Sequence, residues 1–197
     1  MKDDLKDNYS ITELIEKFNS GDDNAFNKII NLYKDKIFNL CYRIINNYDD
    51  ANDVAQETFI KVYKNLSKFK FNSTFSTWIY RIAVNTCKTK INSKSFRQRK
   101  QQKPIDIKND NYRNTISDIT DEFYSPEKEF DNKEKRELIF KVINKLPKEQ
   151  KIIIVLRDIE KKSYDEIAEI TNTKLGTIKS KLARTRILLQ EKLKGFI

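Results

Sequence analysis

The 197-residue sequence contains no histidine, two cysteines, three glycines and three prolines. Without an imidazole the usual general base near neutral pH is missing, and two cysteines alone cannot build an ordinary structural zinc site. Acid pairs such as Asp49/Asp50 stand where a helix begins rather than in a glycine-rich pocket, so no catalytic centre, metal or cofactor is expected. Scarce glycine and proline leave little turn chemistry, which favours an all-α fold over a sheet. Cys41 and Cys87 sit on helical patterns and read as reduced core thiols. No apolar run approaches the roughly 18 residues of a membrane span, and no signal-peptide pattern opens the chain. The expectation is a soluble, cytoplasmic protein without membrane insertion.

What the chain has in excess is positive charge, at a net +10, and it is unevenly spread. Residues 1–87 balance 12 basic against 12 acidic side chains. Residues 88–103 carry seven basic residues and no acid. Residues 104–134 reverse the sign with four basic and nine acidic, and 135–197 hold 16 basic against eight acidic. Two basic patches separated by an acidic stretch suggest two separate contacts with a polyanion.

Hydrophobic periodicity divides the chain near its middle. A short amphipathic helix over Ser10–Phe18 closes at Ser20-Gly21. Asp22 or Asp23 caps a long second helix with Phe26, Ile29, Ile30, Tyr33, Ile37, Leu40 and Ile44 at helical spacing. Asp49 or Asp50 starts a third, with Val54, Thr58, Val62 and Leu66 on one stripe. Ser73 or Ser76 starts a fourth, bearing Trp78, Ile79, Ile82, Ala83 and Thr86. Residues 95–130 hold Pro104, Pro126 and scattered acids without sustained period, and read as a flexible linker. Helix resumes from Asp131 through Leu138, Val142 and Leu146, then Ile152–Leu156.

Residues 163–186 read as a helix-turn-helix. Ser163 and Glu166 have capping-box spacing. Ile167, Ala168 and Ile170 form the inner face, and Asn172 falls where the turn needs positive φ. In the second helix Ile178, Leu182 and Leu189 point inward. Thr177, Ser180, Lys181 and Arg184 share the opposite face, flanked by Lys179 and Arg186. Hydroxyl, ammonium and guanidinium groups on a rigid helix suit a major groove lined by phosphates and base acceptors.

Three blocks together resemble a bacterial RNA polymerase sigma factor of the small extracytoplasmic-function (ECF) type in the sigma-70 family. They are Asp-Val-Ala-Gln-Glu-Thr-Phe-Ile-Lys-Val-Tyr (53–63), Phe-Ser-Thr-Trp-Ile-Tyr-Arg-Ile-Ala-Val-Asn-Thr (75–86), and Leu-Pro-Lys-Glu-Gln (146–150) followed by the helix-turn-helix. Departures are mild: Asn52 stands where an acid is common, Lys181 where Arg is common, and Asn172 where Gly is common.

The resemblance implies an all-α protein of two small helical domains that performs no chemistry. Residues 1–94 would be sigma region 2, 95–130 an acidic flexible linker threading the polymerase cleft, and 131–197 sigma region 4. Asp53, Gln56, Glu57 and Phe59 would bind core RNA polymerase, although Phe59 also suits a core position. Lys61, Phe69, Asn85 and Lys88 would hold the melted downstream promoter element, with Trp78 and Arg81 supporting the helix. Thr177, Lys179, Ser180, Lys181, Arg184 and Arg186 would dock the upstream element as duplex. The partners implied are core RNA polymerase and promoter DNA, duplex and melted. An anti-sigma factor is common in the family but leaves no diagnostic mark in this sequence. A plain helix-turn-helix regulator would explain the C-terminal half and leave 53–86 idle.

Overall fold

The computed structural model describes residues 2–96, 98 and 138–194. Most of the expected linker, and the start of the helix expected from Asp131, lie outside the described residues. Helix α1 spans Lys2–Asn19, beginning earlier than the Ser10 start expected, and buries Ile11, Leu14 and Ile15. It stops at Gly21, whose φ of 100° is open to glycine and costly for other residues.

Helix α2 (Asp23–Ile45) is capped by Asp22, which accepts from the Asn24 N–H, and it ends on Asn46 in the left-handed region. Helix α3 (Tyr48–Asn65) is capped by Asn47 rather than by Asp49 or Asp50. Two consecutive asparagines therefore split the junction. Asn46 tolerates positive φ to close one helix. Asn47 stays extended, and its side chain accepts from the Asp50 N–H at 2.9 Å to open the next. Asp49 and Asp50 fall in the first turn, where negative charge suits the helix N-terminus. Helix α4 (Phe75–Asn92) is capped by Thr74, not by Ser73 or Ser76. Buried Phe75 and Ile79 set the helix phase, which leaves Thr74 within reach of the Thr77 N–H at 3.1 Å.

In the C-terminal half, α5 covers 138–144 and buries Val142 and Ile143. After Pro147, α6 (Lys148–Ile154) widens into a π-helical turn over Val155–Ile159, and Ile152–Leu156 are all buried. Helices α7 (Tyr164–Thr171) and α8 (Leu175–Leu193) complete the described chain. No helix among the described residues is long and apolar enough to cross a membrane. Cys41 and Cys87 are free and buried, and a hydrogen bond with Cys41, then burial, pushes the Cys87 thiol up.

Helix α2 packs against both α3 and α4, and α7 lies on α4, so one apolar cluster runs from Ile15 and Leu40 to Leu156 and Ile178. Polar contacts border it. Glu160, just after the π turn, takes the Arg43 guanidinium at 2.5 Å and accepts from the Tyr80 hydroxyl at 2.8 Å. Burial, and then the Glu160 charge, push the Tyr80 phenol far up, so it remains a donor. The Lys162 ammonium donates to Ser76 at 2.8 Å and sits 4.7 Å from the centre of the Tyr80 ring. Asn144 donates to Asn46 at 2.9 Å.

Only 10% of the Arg43 side chain and 11% of the Glu160 side chain remain exposed. Breaking such a pair from one side costs about 3–5 kcal/mol if the other charge stays buried. In Glu160→Ala the relief is for the halves to part and hydrate Arg43. Small-angle scattering should then show a larger radius with helical content retained. An unchanged radius would mean that apolar packing alone holds the halves.

Candidate nucleic-acid interface

The helix-turn-helix is built from its caps inward. The Ser163 N–H donates to the Glu166 carboxylate at 2.7 Å, and the Glu166 N–H donates back to the Ser163 hydroxyl at 3.1 Å. Burial alone would raise the Glu166 carboxyl, but the Ser163 hydrogen bonds and the Lys162 charge outweigh it and hold the group below its ordinary range. Asn172 turns the chain at φ 52° with its N–H on the Ala168 carbonyl. Ile167, Ile170, Ile178 and Leu182 are buried between the two helices. Thr185 is buried as well, its hydroxyl donating to the Lys181 carbonyl at 2.7 Å. Its polar type hid that core role, although it lies one turn from Leu182 and two turns from Ile178 on the same face.

The six residues expected to meet upstream DNA do not share one environment. Lys179, Ser180, Arg184 and Arg186 are exposed, whereas Thr177 and Lys181 are half-buried. Lys181 is ion-paired with Glu149 of α6, and Arg186 with Asp158 at 2.5 Å. Lys179 and Arg184 make no ion pair among the described residues. Lys181 and Arg184 also line a cavity of about 300 Å³ with Lys148, Glu149 and Gln150.

A second cavity, of about 530 Å³, opens between α3 and α4. Lys61 and Asn85, both expected at the downstream element, line it together. The Lys61 ammonium reaches the Thr86 hydroxyl at 3.1 Å and pairs with Glu57 at 2.7 Å. Trp78, Lys68, Asn65 and Thr89 line it too. Trp78, assigned only a supporting part from the sequence, is thus part of the wall. The readable signal was spacing, since 78, 82, 85 and 89 repeat along one face of a helix.

Phe69 is not in that cavity. It is 8% exposed and packs against Phe71, Phe75 and Trp78 with ring centres 4.8, 5.8 and 5.1 Å away. The exposed ring of this cluster is Phe71, at 50% exposure and φ 56°. Lys88 also lies apart from the cavity. It is half-buried beside α6, and burial lowers its pKa against the opposing pull of Glu149. The structure therefore brings Lys61 and Asn85 together and leaves Phe69 and Lys88 elsewhere.

On α3, Asp53, Gln56 and Glu57 are exposed, and half-buried Phe59 packs against the core. Ile60 and Tyr63 add exposed apolar surface to this helix at 55% and 47%. Asp53 approaches Lys90 at 3.4 Å, while Lys90 is held mainly by Asp50 at 2.8 Å, which raises its pKa.

An all-helical chain with a capped helix-turn-helix and a second polar, aromatic cavity has the form of a DNA-binding transcription factor. Residues 29–97 match the Sigma-70 region 2 family, and residues 136–189 match Sigma-70 region 4. The chain is 37% identical over 186 residues to the ECF RNA polymerase sigma factor SigW of Bacillus subtilis, covering 93% of this chain and 97% of that one. It is 34% identical over 181 residues to the ECF RNA polymerase sigma-E factor of Haemophilus influenzae, covering 91% and 93%. Its fold is similar to that of the Bartonella quintana sigma factor RpoE, solved in complex with the anti-sigma factor NepR. That likeness has a TM-score of 0.58 at 21% identity, over 87% of this chain and 98% of that one. It is also similar to CnrH, solved with the cytosolic domain of CnrY, with a TM-score of 0.63 at 18% identity over 95% and 99%. The chain belongs to the ECF RNA polymerase sigma factors. It acts in promoter recognition and transcription initiation and is not an enzyme.

The capping box gives the helix-turn-helix an acid-sensitive joint. A carboxyl whose folded pKa is depressed adds stability above its ordinary value, here 4.5, and loses it as pH falls through the folded value. Glu166→Gln keeps an acceptor for the Ser163 N–H but cannot titrate. The parent protein's advantage in thermal midpoint over Glu166→Gln should therefore shrink between about pH 6 and pH 3. A constant difference across that range would remove Glu166 from the acid response.

Proposed function

We propose that the chain works in the cytoplasm as three segments: region 2 over residues 1–94, a linker over 95–130, and region 4 over 131–197. It joins core RNA polymerase, brings it to two promoter elements, and helps to open the duplex between recruitment and the first bond. The observation that carries this reading is the coexistence, in one chain, of an exposed cationic helix suited to duplex and a cavity suited to single-stranded DNA. An anti-sigma factor is a further partner this reading accommodates, since the similar sigma factor RpoE was solved with the anti-sigma factor NepR. Runoff transcription with core polymerase over a genomic promoter pool tests the whole, and no promoter-dependent transcript would refute it.

Each element has a share of the work. Asp53, Gln56 and Glu57 offer polar groups to core polymerase, with Phe59 anchoring the helix from behind, as a mixed interface requires. Thr177, Lys179, Ser180, Lys181, Arg184 and Arg186 serve the upstream duplex. Lys61 and Asn85 hold the displaced downstream strand, Phe69 supports the ring cluster beside it, and Lys88 contributes charge along the backbone. A single strand is gripped by rings that stack on bases and by cations that follow the phosphates. Phe71 presents the accessible ring, and Phe69 backs it.

Substitution of Gln56 and Glu57 by Ala should weaken core-polymerase binding while helical content and thermal midpoint stay nearly unchanged, because both side chains are exposed. A midpoint lowered by many degrees would make them structural.

The two phenylalanines should separate by stability. Phe69→Ala empties a buried site and should cost about 3–5 kcal/mol. Phe71→Ala should leave the fold intact and remove a stacking surface worth about 1–3 kcal/mol per base. Holoenzyme with Phe71→Ala should still bind promoter duplex but show little permanganate reactivity of thymines at the start region. A pre-melted bubble should restore much of its transcription. Loss of duplex binding, or no rescue by the bubble, would remove Phe71 from the melting step.

A further inference from the structure

Helix α8 carries four cations assigned above to the upstream duplex, and two of them are already occupied. Glu149, in the first turn of α6, pairs with Lys181, and Asp158, in the π turn that ends the same helix, pairs with Arg186. The second pair is two-pronged: Arg186 Nη2 meets Asp158 Oδ1 at 2.5 Å, and Nε meets Oδ2 at 3.4 Å. A carboxylate, like a phosphate, can take a guanidinium fork through two oxygens. Glu149 also faces the Lys88 and Lys148 charges, so its carboxyl sits below the ordinary range, chiefly through Lys181. Lys179 and Arg184 remain exposed and without an ion pair among the described residues.

We propose that Glu149 and Asp158 are specificity-determining residues of the upstream contact: each holds a recognition-helix cation that a DNA phosphate would otherwise take. This rests on the assignment of α8 to the upstream duplex. Sequence-independent binding grows with the number of phosphates neutralised. Two cations held internally lower that number for any duplex, and a phosphate must displace a carboxylate to recruit them. Arg184 is left to read a base edge, an interaction that differs between correct and incorrect sequence. Both pairs are partly exposed and individually weak, so they act as a graded penalty and not as a block. What they raise is the ratio of specific to non-specific affinity, the quantity that matters against a genome of competing sites.

The test uses holoenzyme reconstituted with the parent chain, E149Q, D158N and the double variant. Each is titrated with a promoter duplex selected from a random pool by the parent holoenzyme, and with a non-promoter duplex of equal length, across a salt series. Each freed cation should steepen the slope of log affinity against log salt on the non-promoter duplex by about 0.9. The double variant should thus gain about two units and lose preference for the promoter duplex. E191Q, which removes an exposed acid near the end of α8, should leave the slope alone and control for net charge. K181Q should cost about one unit in the E149Q background and little in the parent, a comparison that survives any change in stability. Equal K181Q effects in both backgrounds, unchanged slopes, or slopes steepened as much by E191Q would each overturn the proposal. Weaker binding once the acids are gone would overturn it too, since the carboxylates would then be positioning their partners for DNA. Failure of the α8 assignment has its own signature: promoter preference untouched by R184A. The proposal would fall with it.

Discussion

One carboxylate joins the two halves of this sigma factor. Glu160 receives a guanidinium from α2 and a phenol from α4, and all three groups are withdrawn from solvent. A charge in that position is tolerable only because it is paired and hydrogen-bonded at once. Around it the apolar faces of α2, α4, α6 and α7 close into one cluster. This junction stands at the entrance to α7, which packs on α4 and is tied to it again by the Arg81–Glu169 ion pair.

The acidic side chains of the C-terminal half repeatedly act as internal partners for cations. Glu160 serves Arg43, Glu166 serves Lys162 and its own cap, and Glu169 serves Arg81 at 3.0 Å. Glu149 and Asp158 do the same for the helix read as meeting DNA. With 39 basic and 29 acidic side chains the chain has cations to spare, so the placement of its acids decides which of them are available. For a protein that binds a polyanion this is a direct control on affinity, because every occupied cation is one phosphate contact fewer.

Much of the architecture is legible in the sequence. The stripes Phe26–Ile44, apart from half-buried Ile30, and Val54–Leu66 are buried as their period requires. The Ser163–Glu166 box and the left-handed Asn172 appear where short-range chemistry demands them. The misplaced caps show where that reasoning stops. Asn47 and Thr74 cap where the neighbouring Asp and Ser residues were expected to, and all of these residue types can cap. The choice among them is made by helix phase, and phase is set by packing against other helices. Thr185 escaped notice for a related reason: a threonine can bury itself by returning its hydroxyl to the helix backbone.

Sequence by itself determined the element types, the helix-turn-helix, the charge pattern and the family, because each rests on spacing within a few turns of one helix or on ordered blocks. Only the tertiary structure decided which side chains share a site. Lys61 and Asn85 meet across a cavity, while Phe69 turns into a ring cluster and Lys88 toward α6. Likewise only the structure showed that Lys181 and Arg186 face carboxylates 32 and 28 residues away. Periodicity specifies the face of a helix on which a residue lies. What that face meets depends on how the helices cross, and crossing is settled by the packed core as a whole.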